Sequence, residues 1–479
     1  MKNLITLFII IFICQDSFGQ DSINSFEHYF NLKDKKVKAL DVFHNDKSQE
    51  VLFLLKDNAQ LAAYLFDKNF QEIGDALRID KDFRRYPIVI SAVNSGEHSY
   101  SLLLASEEYE KWGLLDFDFK NRSASIAKLP YKIKKAVYLN SFRYAKKHWI
   151  ISLVRNSSII KAESIDSNGD VQHLEFDFSE DDFSGGRRSI SNMYQLVGAR
   201  SEDFTTDFIE TGTPLSLLSA NEKVKFYKEG GTVIMTIDNS RDYTYILEMN
   251  VENGQSSTKQ INKQKLENRS SYEDSNSFIL DDKLFSLKTT FETLSLDIKD
   301  LQTQKVLNTI NIKDSEDISF KNTPIFQENL GSSSEITNTK KFLRKVTNSE
   351  PAISVYKQDR DYVLSIGASK YIDYNDEIQI IGAIVGGASG FLTVSIFLNP
   401  VSKNYLDYSS TRTTRFQTIL DDNFKHIPDA TVRRNVFDNI KEFDQSKELK
   451  GAKTVYQIGK NYYFSYFDRE TNRVNTVKF

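Results

Sequence analysis

The side chains of this sequence that could do chemistry are carboxylates and a few histidines, and neither type forms a recognisable catalytic pattern. No two histidines stand three or four residues apart, the spacing that a helix-borne metal site needs. They are His28, His44, His98, His148, His173 and His426. The 66 Asp and Glu residues allow many carboxylate pairs of the kind that cleaves glycosidic bonds, so the sequence singles out none.

One short acidic segment has a superficial likeness to a calcium loop. Residues 166–170 (DSNGD) place oxygen ligands at alternate positions. An EF-hand loop needs Gly at its sixth position and Glu at its twelfth, whereas here Gly is fourth and the twelfth residue is Asp177. Asn-Gly between two strands is typical of a tight hairpin turn. We therefore expect a structural turn, and we interpret the neighbouring acidic run 175–182 as a solvated loop edge.

Nucleophile and phosphate motifs are missing from the sequence. Residues 387–391 (GASGF) end in Phe where a nucleophile elbow needs Gly. There is no Gly-Lys-Ser/Thr phosphate loop and no dinucleotide fingerprint. Asp67, Asp166, Asp421 and Asp468 follow strand-like segments, and we expect them to shape turns. The sequence implies no cofactor and no metal site.

Residues 1–19 have the pattern of a cleaved secretory signal. After a lysine, an apolar run of ten residues begins at Leu4, and small residues at Ser17 and Gly19 precede the expected cleavage. The only cysteine, Cys14, lies within this segment, so the mature chain has no disulfide or thiolate. Lipid anchoring through Cys14 is less favoured, since large residues precede it. We expect a secreted or periplasmic protein.

Composition narrows the class of partner. The formal charge is −4, from 62 basic and 66 acidic residues, so electrostatics favour neither nucleic acid nor an anionic membrane as the main partner. The chain has 34 Phe and 23 Tyr but only 7 Pro. This composition suits pleated sheet and argues against long disordered linkers.

A strand–turn–strand unit recurs along most of the chain. It is first seen at residues 51–73, and comparable units begin near residues 101, 148, 232, 283 and 454. The clearest spacings are about 50 residues, a period typical of four-stranded propeller blades. The chain therefore resembles the β-propeller superfold in general, without the blade motif of any specific family. Two β-sandwiches are the rival architecture, but no Pro/Gly/Ser-rich linker separates two halves.

The resemblance implies an all-β fold, a single propeller-like domain over residues 20–479 with six to eight four-stranded blades. The last strand, 474–479 (VNTVKF), is expected to close the ring by pairing with the mature N-terminal segment. The interval from 283 to 454 has room for two further blades. The segment 179–230 does not fit the period, and it is either a binding insertion or a degenerate blade with a strand at 192–199.

A helical insertion is predicted at residues 429–449. Val432, Val436, Ile440 and Phe443 fall on one face of a short amphipathic helix. Asp429 or Thr431 would be its N-cap. We expect the helix to pack on the propeller, covering a sheet edge rather than binding a partner.

The uncharged segment 378–402 allows two interpretations. Its length permits a transmembrane helix, and Gly382, Gly386 and Gly390 have the spacing used for helix packing in membranes. A Gly-rich turn between two apolar strands explains the same residues, and the flanks have no cluster of Lys or Arg. We favour the buried hairpin.

The lack of every strong catalytic signature favours a non-enzymatic binding or interaction propeller, for an unknown protein or glycan at the cell envelope or outside the cell. One alternative is a hydrolase or lyase acting on an extracellular polysaccharide, with carboxylates from different blades meeting at the channel mouth. The other is an envelope component tethered by a membrane span at 378–402.

Overall fold

A computed structural model describes residues 21–28, 37–57, 60–80, 85–201, 204–266, 272–329, 332–371, 399–409 and 411–479. These residues form seven sheets of four or five strands. In each sheet the strands that follow one another along the chain are mostly antiparallel neighbours, as in the blades of a propeller. The fold is a β-propeller of seven blades, within the predicted range of six to eight.

The chain opens with β1 (Asp21–Glu27) and then builds the blades in order. Blade 1 comprises β2 (Ala39–Asn45), β3 (Glu50–Lys56), β4 (Leu61–Phe66) and β5 (Leu77–Ile79). Blade 2 comprises β6 (Ile88–Gly96), β7 (Ser99–Ala105), β8 (Trp112–Asp118) and β9 (Ser123–Leu129). Blade 3 comprises β10 (Ala136–Tyr144), β11 (Lys147–Val154), β12 (Ile159–Ile165) and β13 (Val171–Asp177).

The next two blades follow a long connection that carries two short helices, α1 (Met193–Leu196) and α2 (Leu217–Ala220). Blade 4 comprises β14 (Asp207–Phe208), β15 (Val224–Glu229), β16 (Thr232–Ile237), β17 (Tyr243–Asn250) and β18 (Ser256–Asn262). Blade 5 comprises β19 (Asp274–Leu280), β20 (Lys283–Thr289), β21 (Thr293–Asp300) and β22 (Val306–Lys313).

The last two blades contain the three longer helices. Blade 6 comprises β23 (Phe326–Asn329), β24 (Ser332–Glu335), β25 (Pro351–Gln358), β26 (Asp361–Tyr371) and β27 (Thr411–Leu420), with α3 (Thr339–Thr347) before β25 and α4 (Pro400–Ser409) before β27. After α5 (Val436–Ser446), blade 7 comprises β28 (Lys453–Ile458), β29 (Asn461–Asp468) and β30 (Arg473–Lys478) together with β1.

The hydrophobic cores lie between blades, which explains why the repeat unit is apolar at successive positions. In β3, Val51 and Phe53 pack into the core shared with blade 7. Leu52 and Leu54, on the opposite face of the same strand, pack into the core shared with blade 2. Successive strand residues point to opposite faces, so a sheet covered on both sides needs apolar residues at every position.

The ring closes through strands from the two ends of the described chain. β1 pairs antiparallel with β30, from Asp21 opposite Lys478 to Glu27 opposite Arg473. Phe26 of β1 packs against blade 1, with its ring centroid 4.8 Å from that of Phe66. The predicted closure by the last strand is confirmed.

Two predictions about the irregular intervals are wrong. Among its described residues, the interval from 283 to 454 contains one further complete blade, blade 6, rather than two, and the helices α3, α4 and α5 take up part of the rest. Residues 192–199 do not form a strand: α1 occupies Met193–Leu196, with the Asn192 side chain capping its first turn. Among the described residues, the segment 179–230 forms no blade of its own and adds β14 and β15 to blade 4.

The predicted C-terminal helix exists as α5, but it starts later than expected. Its N-cap is Asn435, not Asp429 or Thr431, because Asn435 and Asp438 form a reciprocal capping box. Val432 therefore lies outside the helix. Ile440 and Phe443 are buried as predicted, against blade 7 and α4.

Most of the segment 378–402 lies outside the described residues, so neither the hairpin nor the membrane span is tested there. Its described end is helical, since α4 begins at Pro400, a residue whose fixed backbone suits the first helical position. Among the helices of the described ranges, none has the length and apolar character that a bilayer crossing requires.

Candidate functional site

A cavity of about 1550 Å³ lies on the channel side of blades 2, 3 and 4. Its walls come from the innermost strands β6 and β10, from β14 and from α4. Pockets that enclose small molecules usually hold roughly 300–1,000 Å³. The cavity is therefore large enough for an oligomeric ligand.

Two β-bulges shape this part of the channel. The pairing of β6 with β7 shifts between Val89 and Ser91, and that of β10 with β11 shifts between Tyr138 and Asn140. A bulge bends its strand and redirects the side chains that follow it. Ser91 and Asn140 consequently line the cavity.

The long connection before blade 4 and helix α4 are joined to each other at the cavity wall. The Asn404 side chain accepts a hydrogen bond from the Ser216 backbone N–H at 2.6 Å. The Ser219 hydroxyl donates to Asp407 Oδ2 at 2.8 Å. Two parts of the chain that break the blade repeat, almost two hundred residues apart, thus form one surface.

Two carboxylates, Asp207 and Asp407, hold Lys403 on this surface, and a third, Glu222, lies close enough to feel its charge. Lys403 Nζ lies 2.6 Å from Asp207 Oδ2 and 2.8 Å from Asp407 Oδ2. Burial opposes the charge on Lys403, but the two aspartates outweigh it and raise the pKa of the ammonium above its ordinary value. Burial raises the pKa of Asp207 and of Glu222, which accepts a hydrogen bond from Thr205.

The three carboxylates Asp207, Glu222 and Asp407 can bind polar ligand atoms, and the raised pKa values of Asp207 and Glu222 are of the kind that acid–base catalysts use. The ion pairs limit such a role for Asp207 and Asp407, since both carboxylates are held by Lys403. Glu222 is the member whose oxygens contact no lysine within ion-pair distance in the described structure.

Aromatic side chains form a second part of the cavity wall. Tyr109 and Tyr138 stack with their ring centroids 4.4 Å apart. Trp112 meets Tyr131 edge to face at 5.3 Å. Tyr131 is fixed in turn by its hydroxyl, which donates to Glu163. Trp112 and Tyr131 are buried and support the stacked pair from behind, so the half-buried rings of Tyr109 and Tyr138 form the apolar wall beside the polar one.

Ser91 and His148 are the one serine–histidine pair at the cavity among the residues that the structure describes. Ser91 Oγ lies 2.5 Å from His148 Nδ1. Burial lowers the pKa of His148 to about 3, so the imidazole is neutral at physiological pH and a poor proton acceptor. Its Nε2 has no hydrogen-bond partner among the described residues, whereas a catalytic base needs a group that orients it. The pair is a buried structural contact.

On the innermost strands, several side chains accept a hydrogen bond from the backbone N–H of the next residue. Asp41, Asn140, Asp207 and Asp274 each accept a hydrogen bond, through a side-chain oxygen, from the backbone N–H of the following residue, at 2.7 or 2.8 Å. A peptide that binds by adding a strand needs such donors free. Recognition at these positions must rely on side chains.

The four aspartates singled out from the sequence lie outside the cavity and shape turns, as predicted. The Asp67 carboxylate accepts from the backbone N–H groups of residues 69 and 71 at 2.8 Å. Asp166 and Asp421 repeat this pattern, and Asp468 accepts from residue 470. Residues 166–170 are therefore the turn between β12 and β13. Within the described ranges, no three His, Cys, Asp or Glu residues are grouped so as to hold a metal ion.

The histidines remain scattered in the fold. His98 contacts Glu50, His173 contacts Glu163 and His426 contacts Asn322. Sequence reasoning missed Lys403 and Arg143 altogether, since neither belongs to a motif. The only available signal was the break in the blade period, which marks the connection that carries Asp207.

Comparisons with known proteins add little beyond this geometry. No protein-family model and no curated protein matches the sequence. Among solved structures, a prolyl endopeptidase is 9% identical with a TM-score of 0.34, over 90% of this chain and 46% of that one. The Dos1 propeller is 9% identical with a TM-score of 0.31, over 96% and 95%. The β-propeller domain of Vanderwaltozyma polyspora Nup133 is 9% identical with a TM-score of 0.27, over 58% and 76%.

The present chain thus spans less than half the length of the endopeptidase, and likenesses this distant carry no functional argument. The neighbours include enzymes and non-enzymes alike. The chain is a β-propeller without an identified family, and its function has to be argued from its own cavity.

Proposed function

We propose that this chain is an exported, non-enzymatic β-propeller that binds an oligosaccharide in its central cavity, at the cell envelope or outside the cell. The observation that carries the proposal is a cavity of about 1550 Å³ with an aromatic wall beside a polar one. Sugars present apolar faces and hydroxyl groups together, so they suit such a lining. The signal-like sequence of residues 1–19 supports export.

A glycan fits better than an extended peptide. The backbone N–H groups that follow Asp41, Asn140, Asp207 and Asp274 are occupied by the side chains of these residues, which removes donors that strand addition requires. Asn140 and the carboxylate group around Lys403 offer side-chain acceptors instead. Hydroxyl groups of a sugar can donate to these oxygens.

A direct binding test is an oligosaccharide array probed with the chain from residue 20 onwards, followed by calorimetry on the glycans that bind. Tyr138→Ala removes part of the aromatic wall, and we expect the Kd to rise by at least about tenfold. Tyr272→Ala is the matched control, because Tyr272 is 62% exposed and is not among the cavity-lining residues. Failure to bind any glycan, or equal effects of the two variants, would refute the proposal. Fractionation of cells tests export separately.

Cleavage of the bound polysaccharide is the second candidate function, favoured by the raised pKa values of Asp207 and Glu222 at the cavity. A hydrolase or lyase would release new reducing ends from a polysaccharide panel. Glu222→Gln should abolish that release while Glu175→Gln, on the outer strand β13, should not. Turnover with this dependence would replace the binding proposal by an enzymatic one.

A further inference from the structure

Arg143 is a charged residue of the cavity whose guanidinium packs on an aromatic ring. It lies in β10, four residues beyond the bulge at Leu139, and lines the cavity. Its guanidinium lies over the ring of Phe43, with Cζ 4.3 Å from the ring centroid. This contact fixes the plane of the guanidinium and leaves its N–H groups directed along the plane.

The guanidinium of Arg143 is desolvated by burial. Its Nη1 is buried and has no hydrogen-bond partner in the described structure. Within the described ranges no carboxylate lies within ion-pair distance of it. Burial lowers the pKa of Arg143, and the more distant Asp46, Glu210 and Asp41 only partly oppose this effect. A buried donor of a charged group is costly to leave unpaired.

The surroundings add further positive charge. Lys228 donates from Nζ to the backbone carbonyl of Arg143 at 3.2 Å, so two cations lie at this end of the cavity. Asp46 and Glu210 also border it. Asp46 is directed towards His44, whose Nδ1 lies 3.2 Å from Oδ1, and its side chain is 94% exposed. Neither carboxylate occupies the place beside the guanidinium.

We infer that Arg143 is the anchor for a carboxylate, and that the glycan bound in the cavity is an acidic one that contains uronic acid. The inference rests on the proposed oligosaccharide binding. The planar guanidinium matches a carboxylate, and a carboxylate from the ligand supplies the counter-charge that no described carboxylate gives Arg143 at ion-pair distance. The carboxylate group around Lys403 then contacts the hydroxyls of other sugar units.

The test uses matched pairs of tetrasaccharides: uronic acid tetramers of several linkages, each beside its carboxyl-reduced neutral counterpart. Calorimetry on the chain from residue 20 should show the acidic member of a binding pair at least about tenfold tighter, as expected for a charged hydrogen bond. Arg143→Met should bring the two members within about threefold of each other while neutral binding is retained. Arg143→Lys keeps the positive charge but lacks the planar N–H donors of the guanidinium, so it should retain more of the preference than Arg143→Met does.

Arg122→Met is the matched control, since Arg122 lies in the β8–β9 turn and pairs with Asp75 at the surface. It should leave the preference unchanged. The salt dependence of the wild-type preference gives a second readout, should Arg143→Met fail to fold; the preference should fall with added NaCl. Equal binding of both members, binding of neutral glycans only, or a preference that survives Arg143→Met overturns the inference and leaves glycan binding intact. Absence of all glycan binding overturns both.

Discussion

The charge network between blades 4 and 5 allows a demanding test of the fold. The Asp238 carboxylate is fully buried, with Lys225 Nζ at 3.3 Å and Lys263 Nζ at 3.5 Å. It also accepts hydrogen bonds from the Ser277 hydroxyl and the Thr244 hydroxyl, both at 2.7 Å. Burial opposes the ionisation of Asp238, but the two lysines outweigh it and hold its pKa below the ordinary value. Asp238→Asn keeps the shape and removes the charge.

The substitution leaves two buried ammonium groups without their counter-charge. Removing one partner of a buried ion pair typically costs about 3–5 kcal/mol. Unfolding entropies of about 2.1 cal/mol/K per residue give roughly 1 kcal/mol/K for 479 residues, so the Tm should fall by about 3–5 °C.

The loss should depend on pH in a definite direction. Burial lowers the pKa of Lys263 to about 8, although Asp238 raises it. Between pH 8 and the ordinary pKa of 10.5, Lys263 binds more protons in the unfolded state than in the folded state. The contribution of Lys263 to the free energy of unfolding therefore rises with pH. Without Asp238 the pKa of Lys263 falls further, and neutralisation begins at lower pH. The deficit of the variant should therefore be larger at pH 7 than at pH 9.

Differential scanning calorimetry of variant and wild type at both pH values measures this deficit, and titrating groups remote from Asp238 cancel in the difference. Lys225, which also pairs with Asp238, shifts in the same direction as Lys263. Glu97→Gln is the control. It breaks the exposed ion pair with Lys120, where both side chains are more than 60% accessible, and it should leave the Tm almost unchanged because water and salt screen exposed pairs. A Tm within 1 °C of wild type, as for the control, or a deficit that does not shrink towards pH 9, would refute the electrostatic account.

Three further changes test local features. Phe26→Ala removes the ring that β1 packs against Phe53 and Phe66; we expect a loss of about 3–5 kcal/mol by calorimetry, and an unchanged Tm would mean that β1 contributes little to closure. Asn435→Ala removes half of the capping box of α5 and should cost about 1 kcal/mol, whereas Asn435→Ser should be nearly neutral; equal losses would argue against capping. Asp67→Ala removes the acceptor for two backbone donors and should cost about 1–2 kcal/mol, with Asp67→Asn milder, and proteolysis at this turn should accelerate.

The parts of the fold that could be predicted from the sequence are those with a local cause. The middle of β3, from Val51 to Leu55, is apolar at every position because both faces of the sheet are covered, so such strands can be recognised in the sequence. The turn aspartates could also be predicted because their contacts are local: Asp67 accepts hydrogen bonds from the backbone two and four residues ahead. The start of α5 was missed because an Asn–Asp capping box is less conspicuous than the earlier Asp429 and Thr431.

The cavity could not be predicted, because its chemistry joins residues that are remote in the chain. Asp207 and Lys403 are 196 residues apart, and only the folded ring brings β14 and α4 together. Arg143 appears in the sequence as an ordinary basic residue of a strand. Its place at the cavity depends on the bulge in β10 and the contact with Phe43, and neither feature has a sequence signature.

The pairing of β1 with β30 also fixes the order in which the molecule can be completed. The Ser25 hydroxyl donates a hydrogen bond to Asn475, 450 residues later. Forming this contact closes a loop that spans almost the whole chain. Until β30 has been made, β1 has no partner, and blade 7 exposes an open edge of the kind that pairs with other chains. Contacts of such long range form slowly. A chain that lacks its last strand would therefore keep six blades but expose an unpaired strand edge, and aggregation is the expected result.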